Sequence, residues 1–321
     1  MKYQRIFSLA LVAGLLSPYV VLATEPPITA MAFAPDGKSV AAASQVGVQV
    51  FSWPDLRHQQ TIEASAANLY CVAFSPKGDR LAVGGGNPSA EGVVEIFSWP
   101  AGESIATISV HEDSVTDISW RDASHLFSAS LDGQIKLCDV EKQNALRSYT
   151  GHSRGVSSFC LLKDEKTLVS VGDDQSVRVW NSLTGELIRS LSQHTKPIHA
   201  VALLPAEGGL AMVASAAGDR TIRFWQPTIG RMIRYVRLEA EPLDIAWTND
   251  GSRILAACVD GNIRVINPLE VRVTQKLAAI DGWAYAIAVH PTDSSVVVGG
   301  TDGQIRRVEL GPDTGVESTV R

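Results

Sequence analysis

The stretch Gly151–Asn181, GHSRGVSSFCLLKDEKTLVSVGDDQSVRVWN, constrains the fold most, because the rest of the chain repeats it in more or less worn form. It holds three apolar, β-rich runs separated by short charged or Asp-containing turns, which is the pattern of consecutive short strands. The turn after the first run falls at Pro35, Pro76, Arg121, Lys163, Pro205, Asn249 and Pro291, spaced 41, 45, 42, 42, 44 and 42 residues. The turn after the second run carries Asp132, Asp174, Asp219, Asp260 and Asp302, spaced 42, 45, 41 and 42. A period near 42 marks a small sheet unit that cannot bury its own faces and must stack on its neighbours.

Seven units can be read. Their first runs are ITAMAFAP, LYCVAFSP, VTDISW, VSSFCLL, IHAVALLP, LDIAW and AYAIAVHP. The second runs (SVAAAS, RLAVGG, HLFSAS, TLVSVG, MVASAA, ILAAC, SVVVGG) are rich in Ala, Gly and Ser. Small side chains suit inner strands, where neighbouring sheets converge on an axis. The third runs (VQVFSW, VVEIFSW, QIKLCDV, SVRVW, TIRFW, NIRVI, QIRRVEL) precede a more polar fourth, such as Glu186–Leu191, as an outer edge in water requires. Apolar residues are 45% and charged residues 19%, enough for a large core. The expectation is an all-β chain: one seven-bladed β-propeller of four-stranded antiparallel blades over residues 28–321. Its blades lie near 28–63, 64–110, 111–150, 151–193, 194–238, 239–279 and 280–320.

Gly84–Gly92, GGGNPSAEG, reads as an enlarged, mobile loop of blade two, open to contacts. Val308–Val320 echoes the outer run of blade four, with Thr314-Gly315 matching Thr184-Gly185. Blade seven is therefore expected to supply its own outer strand, and the ring to close by packing blade one on blade seven. The alternative uses Pro18–Thr24 (PYVVLAT) as the closing strand.

Residues 1–23 read as a signal peptide. Lys2 and Arg5 precede an apolar stretch from Ile6 to Leu16, and Val21-Leu22-Ala23 offers a cleavage site. Residues 24–27 then form a short mature N-terminus. The expected location is periplasmic or extracellular, with no membrane insertion after cleavage. The alternative is an uncleaved anchor, although Ile6–Ala23 is at the short limit for crossing a bilayer and is interrupted at Ser17, Pro18 and Tyr19. The formal charge of −6 becomes −8 without Lys2 and Arg5, and Lys/Arg clusters are missing, which argues against nucleic acid as a partner. Cys71, Cys138, Cys160 and Cys258 each fall in an apolar run of a different blade and read as buried free thiols, although an even count in an exported chain keeps disulfides open.

The Gly-His opening, the Asp turn and the Trp closing the third run resemble the WD40 repeat, over about residues 28–320 and as an exported, bacterial-type member. The resemblance implies a hydrogen-bonded tetrad of His, Ser/Thr, Asp and Trp. Blade four matches with His152, Ser170, Asp174 and Trp180, and blade five with His194, Ser215, Asp219 and Trp225. Blade three has His111, Ser128 and Asp132, but Cys138 stands at the Trp position. Blades six and seven keep only Asp260 and Asp302; blades one and two lack the Asp and carry Phe51 and Phe97 for Trp. A buried Asp in a tight turn needs donors, which His and Ser supply. Gly133, Gly261 and Gly303 after the Asp suit a turn with positive φ.

Catalytic, cofactor-binding and metal residues are not expected. His111, His152 and His194 recur at the blade period and so do not converge on one ion. The Asp-Gly pairs read as hairpin turns, and no nucleophile, phosphate or metalloprotease motif occurs. The resemblance implies a ring face that binds a protein partner, carried here by Tyr70, Leu131, Arg154, Asp173, Lys196, Val259, Trp283, Tyr285 and Thr301. Trp283 and Tyr285 have the character of interface anchors. The expected function is a non-catalytic interaction scaffold. The alternative is a small-ligand binder or lactonase-like hydrolase using the central channel, to which His199 and His290 could contribute.

Overall fold

The computed structural model describes residues 25–205 and 209–311. Each repeat forms its own antiparallel sheet, joined in simple meander order. Blade one consists of Ala30–Phe33, Ser39–Ser44, Gly47–Ser52 and His58–Ile62; blade four consists of Val156–Leu161, Thr167–Gly172, Val177–Asn181 and Leu187–Leu191. Blades one to six are four-stranded. Blade seven has three strands among the described residues, Ala284–Val289, Val296–Gly300 and Ile305–Val308. The first strand of each blade packs on that of the next, and blade seven's packs back on blade one's. The result is a closed seven-bladed β-propeller with almost no helix.

Burial follows this geometry. The second strands of blades four, five, six and seven are buried at every residue, whereas the outer strand Leu187–Leu191 is mostly exposed. The hydrophobic clusters each span two adjacent blades, so the core lies between blades. Trp120 Nε1–H donates to the Ala73 carbonyl at 3.1 Å and Trp247 Nε1–H to the Ala202 carbonyl at 3.2 Å, which ties neighbours across these cores.

Blades one and seven meet directly. Ile28 N–H donates to the Gly300 carbonyl at 3.0 Å, and Ile28 is fully buried. At the other end of this seam, Phe33 and Trp53 of blade one enclose His290, whose Nε2–H donates to the Gly37 carbonyl at 3.1 Å. His290 is therefore a seam residue and does not line the channel, contrary to expectation. The outer strand expected for blade seven at Val308–Val320 lies, past residue 311, outside the described residues. So do the signal segment 1–23 and the alternative closing strand 18–24.

The glycine-rich stretch of blade two is not a loop. Arg80–Asn87 and Glu91–Ser98 pair along their whole length, Gly84 with Val94 and Gly86 with Gly92. The glycines answer close approaches of different strands: a Cβ at Gly85 would lie 1.9 Å from the Asn68 carbonyl oxygen of the first strand, and one at Gly86 would lie 2.1 Å from the Glu91 carbonyl oxygen of the third. All four cysteines are free thiols; Cys160 is half-buried and the other three are buried. Burial pushes the Cys138 and Cys258 thiols up to about 11, which makes them inert packing groups.

The seam gives a direct test of closure. A Cβ at Gly299 would sit 2.5 Å from Ile28 and 2.7 Å from the Met31 sulfur. Gly299→Val should therefore lower stability by about 1–3 kcal/mol through overpacking, read as a reduced urea midpoint. An unchanged midpoint would mean that the two blades are not packed together.

Candidate functional site

The recurring His, Ser, Asp and Trp side chains form a chain of donors at the blade edge. In blade four, Trp180 Nε1–H donates to Ser170 Oγ at 2.8 Å, Ser170 Oγ meets His152 Nε2 at 2.8 Å, and His152 Nδ1 meets Asp174 Oδ2 at 3.0 Å. Blade five repeats this with Trp225–Ser215 at 2.8 Å, Ser215–His194 at 2.7 Å and His194–Asp219 at 2.9 Å. In blade three His111 holds Asp132 and Ser128 at 2.8 Å each, and the Cys138 sulfur lies 3.8 Å from Ser128 Oγ where the indole N–H would be. Burial alone would raise the Asp174 carboxyl, but the bonds from His152 and Ser176 hold it well below the usual range. Burial draws the His194 imidazole down to about 4, so it sits neutral, donating at Nδ1 and accepting at Nε2. The residue after each Asp has positive φ: Gly133, Gly261 and Gly303, and also Gln175 and Arg220.

Blade six, which lacks the histidine, uses another donor, in the third strand two residues before the position that holds Trp in blades four and five. In blade six Arg264, 2% exposed, binds both oxygens of Asp260 at 2.9 and 2.8 Å and draws that carboxyl down to about 2. Arg178 and Arg223 hold the equivalent position and lie 3.3 and 3.6 Å from Asp174 and Asp219. In blade two the same position is Glu95, which accepts from the backbone N–H of Ser65 and Ala66.

The inner strands enclose a polar cavity of about 400 Å³ on the ring axis. In six of them the pairing slips by one residue near the start, which leaves Tyr70, Thr116, Ser157, His199, Leu243 and Tyr285 outside the ladder. A bulge of this kind re-aims its side chain, and these six residues together with Thr29 line the cavity. Thr29 Oγ1–H reaches the Leu69 carbonyl of blade two at 2.6 Å, and Thr116 Oγ1–H the Val156 carbonyl of blade four at 2.6 Å. One residue further along, Asp117 accepts from the Phe159 N–H at 2.9 Å and Asp244 from the Ile287 N–H at 2.9 Å, each bond crossing to the next blade. Burial in the wall raises the Asp117 carboxyl to about 6 and that of Asp244 to about 7, the charge of Asp117 adding to the latter. His199 is bonded to Glu241 Oε1 at 2.7 Å.

Antiparallel meanders put the starts of the first strands and the Asp turns at one end of the ring. Two sectors of that face bring together residues singled out from the sequence. On blade seven, Trp283 is 50% exposed and its ring lies 5.8 Å from that of Tyr285. Thr301 holds the Trp283 backbone at both ends, accepting its N–H at Oγ1 (2.8 Å) and donating N–H to its carbonyl (3.0 Å). On blades three to five, Leu131, Arg154 and Lys196 are exposed and Asp173 is half-buried, with Asp173 N–H bonded to the Gly155 carbonyl. Tyr70 faces the cavity from blade two, while Val259, half-buried, donates N–H to the Glu241 carbonyl. Among the described residues, no group of three or more His, Cys, Asp or Glu is arranged to hold a metal ion.

The family model described as WD domain, G-beta repeat matches residues 56–97, 102–139, 143–181, 185–226 and 239–267, together more than half of the chain. The chain belongs to the WD40 family. It is 26% identical over 73% of its length to "Periodic tryptophan protein 2 homolog" of Dictyostelium discoideum, covering 25% of that protein. It is 30% identical over 46% of its length to "Nuclear distribution protein nudF" of Aspergillus niger, covering 33%. It is 26% identical over 87% of its length to "WD repeat-containing protein 1" of Gallus gallus, covering 46%. The chain thus spans less than half of each of these relatives. They are eukaryotic proteins and lend no support to the expectation of an exported, bacterial-type member.

Within this WD40 ring, sequence reasoning passed over Asp117, Asp244, Glu241 and Arg264. The signals existed: VTDI and PLDI each put one acid inside an otherwise apolar first strand, and VRV, IRF and IRV repeat one basic position. The donor chain makes a comparative prediction. Ser170→Ala strands both the Trp180 N–H and His152 Nε2 and should destabilise by about 2–3 kcal/mol, whereas Ser128→Ala, beside Cys138, should cost about 1 kcal/mol less. Urea unfolding of the two variants checks the order.

Proposed function

We propose that this chain is a non-catalytic platform that binds a protein partner on the ring face carrying Trp283, Tyr285 and Thr301. The single observation that supports this is Trp283. A large aromatic, half exposed, is held on a backbone that Thr301 pins from both sides, so its presentation costs little ordering on binding. The names of two relatives, concerning nuclear distribution and periodic tryptophan proteins, belong to longer proteins and name no partner for this chain. Export is part of the proposal on the strength of residues 1–23 alone.

A second reading, a small-ligand site or lactonase-like hydrolase in the channel, has the His199–Glu241 pair and the two channel aspartates in its favour. Against it, among the described residues no third His, Cys, Asp or Glu joins either pair to hold a metal ion.

Native affinity purification of the full chain, alongside a Trp283→Ala/Tyr285→Ala version of equal thermal stability, tests the platform. A stoichiometric protein should copurify with the parent and fall by about tenfold or more with the variant. A partner retained by the variant would move the site elsewhere on the ring, and no partner from either would favour the channel ligand. The N-terminal peptide of the purified chain tests cleavage after Ala23.

A further inference from the structure

The sector of the channel mouth beside Trp283 has a definite charge. Blades five, six and seven contribute, in ring order, His199 paired with Glu241, then Leu243 and Asp244, then Tyr285 with Trp283 next to it. No Lys or Arg is among the residues that line the cavity. On that face Lys196 and Arg154 are exposed on the approaches to blades five and four, Arg220, Arg264 and Lys276 contact Glu239, and Arg306 lies 3.8 Å from Asp281. The mouth therefore combines Asp244, Tyr285 and an apolar step at Leu243 in the lining with Glu241 and Trp283 at its rim, and the cations stand at the rim and not in the lining.

Resting on the platform reading above, we propose that the partner inserts a cationic side chain, arginine or lysine carried on an otherwise apolar segment, into this mouth. Glu241 and Asp244 read its charge, and Tyr285 and Trp283 pack on its stem and face. The chemistry follows from the lining. A carboxylate in a narrow, poorly solvated wall gains more from a cation than one in open water does. Each oxygen of Asp244 accepts one backbone N–H, from Ile245 and Ile287, and keeps a second lone pair for a ligand. Its partners in this chain are those two backbone N–H groups, and no Lys or Arg of the cavity lining stands against it. A cation over an aromatic face is attracted by the ring quadrupole, and a guanidinium meets carboxylate and ring at once.

The test is selection of a random-peptide phage library on the full chain. Selected peptides should share an Arg or Lys flanked by apolar residues. Replacing that residue by citrulline or norleucine should weaken binding by about tenfold or more, as should Glu241→Gln and Asp244→Asn. Asp244→Asn keeps an acceptor for the Ile287 N–H; should it nevertheless unfold, Glu241→Gln and the peptide replacements decide the matter. Selected peptides without a cation, or with undiminished affinity after its replacement, overturn the proposal. If such peptides still lose binding with Trp283→Ala, the platform reading stands and only the cationic partner falls. Peptides indifferent to Trp283, Tyr285 and both carboxylates overturn the two together, and a library that yields no binder also counts against the cationic partner.

Discussion

A blade of this chain is a small antiparallel sheet with two apolar faces, and it can bury them only against other blades. Every hydrophobic cluster spans a junction between blades, so no blade has a core of its own. The ring must therefore close, and the junction of blade seven with blade one is the place where closure is decided. There the chain combines a backbone bond from Ile28 to Gly300, a glycine at 299 that gives Ile28 room, and the Phe33–Trp53–His290 cluster. Small second-strand residues serve the same end, letting the backbones converge on the axis.

Closure then dictates how polar groups are satisfied. Each Asp turn stands at the mouth of a junction, where its carboxylate is partly shielded from water and needs donors. Three blades supply a histidine and a serine, and blade six supplies Arg264 in their place. Nearer the axis, Thr29, Thr116, Asp117 and Asp244 bind backbone groups of the following blade. The worn look of the repeat motif thus reflects several solutions to one requirement, that no buried carboxylate or backbone group be left alone.

What was legible in the sequence is what is local. Strand alternation, turn residues and the 42-residue period act within one blade, and they suffice for the architecture. The tetrads were legible for the same reason, since each lies within a single repeat. Asp117 and Asp244 were not, because their partners are 42 and 43 residues away and become neighbours only when the ring forms. Gly84–Gly86 misled for a related reason. Glycine ordinarily signals a turn, but here it marks close approaches of neighbouring strands, such as the Asn68 carbonyl against Gly85. His199 and Glu241 likewise come from different blades and meet only at the channel.

On the proposed function, the ring is a frame and one of its ends is the working surface, centred on Trp283 and the channel mouth. The third-to-fourth-strand turns lie at the opposite end and include Leu269, 76% exposed. A photo-crosslinking residue placed at position 285 in one version and at position 269 in another tests the claim most directly. A discrete protein adduct is expected from position 285 and none from 269. An adduct formed only from position 269 would contradict it.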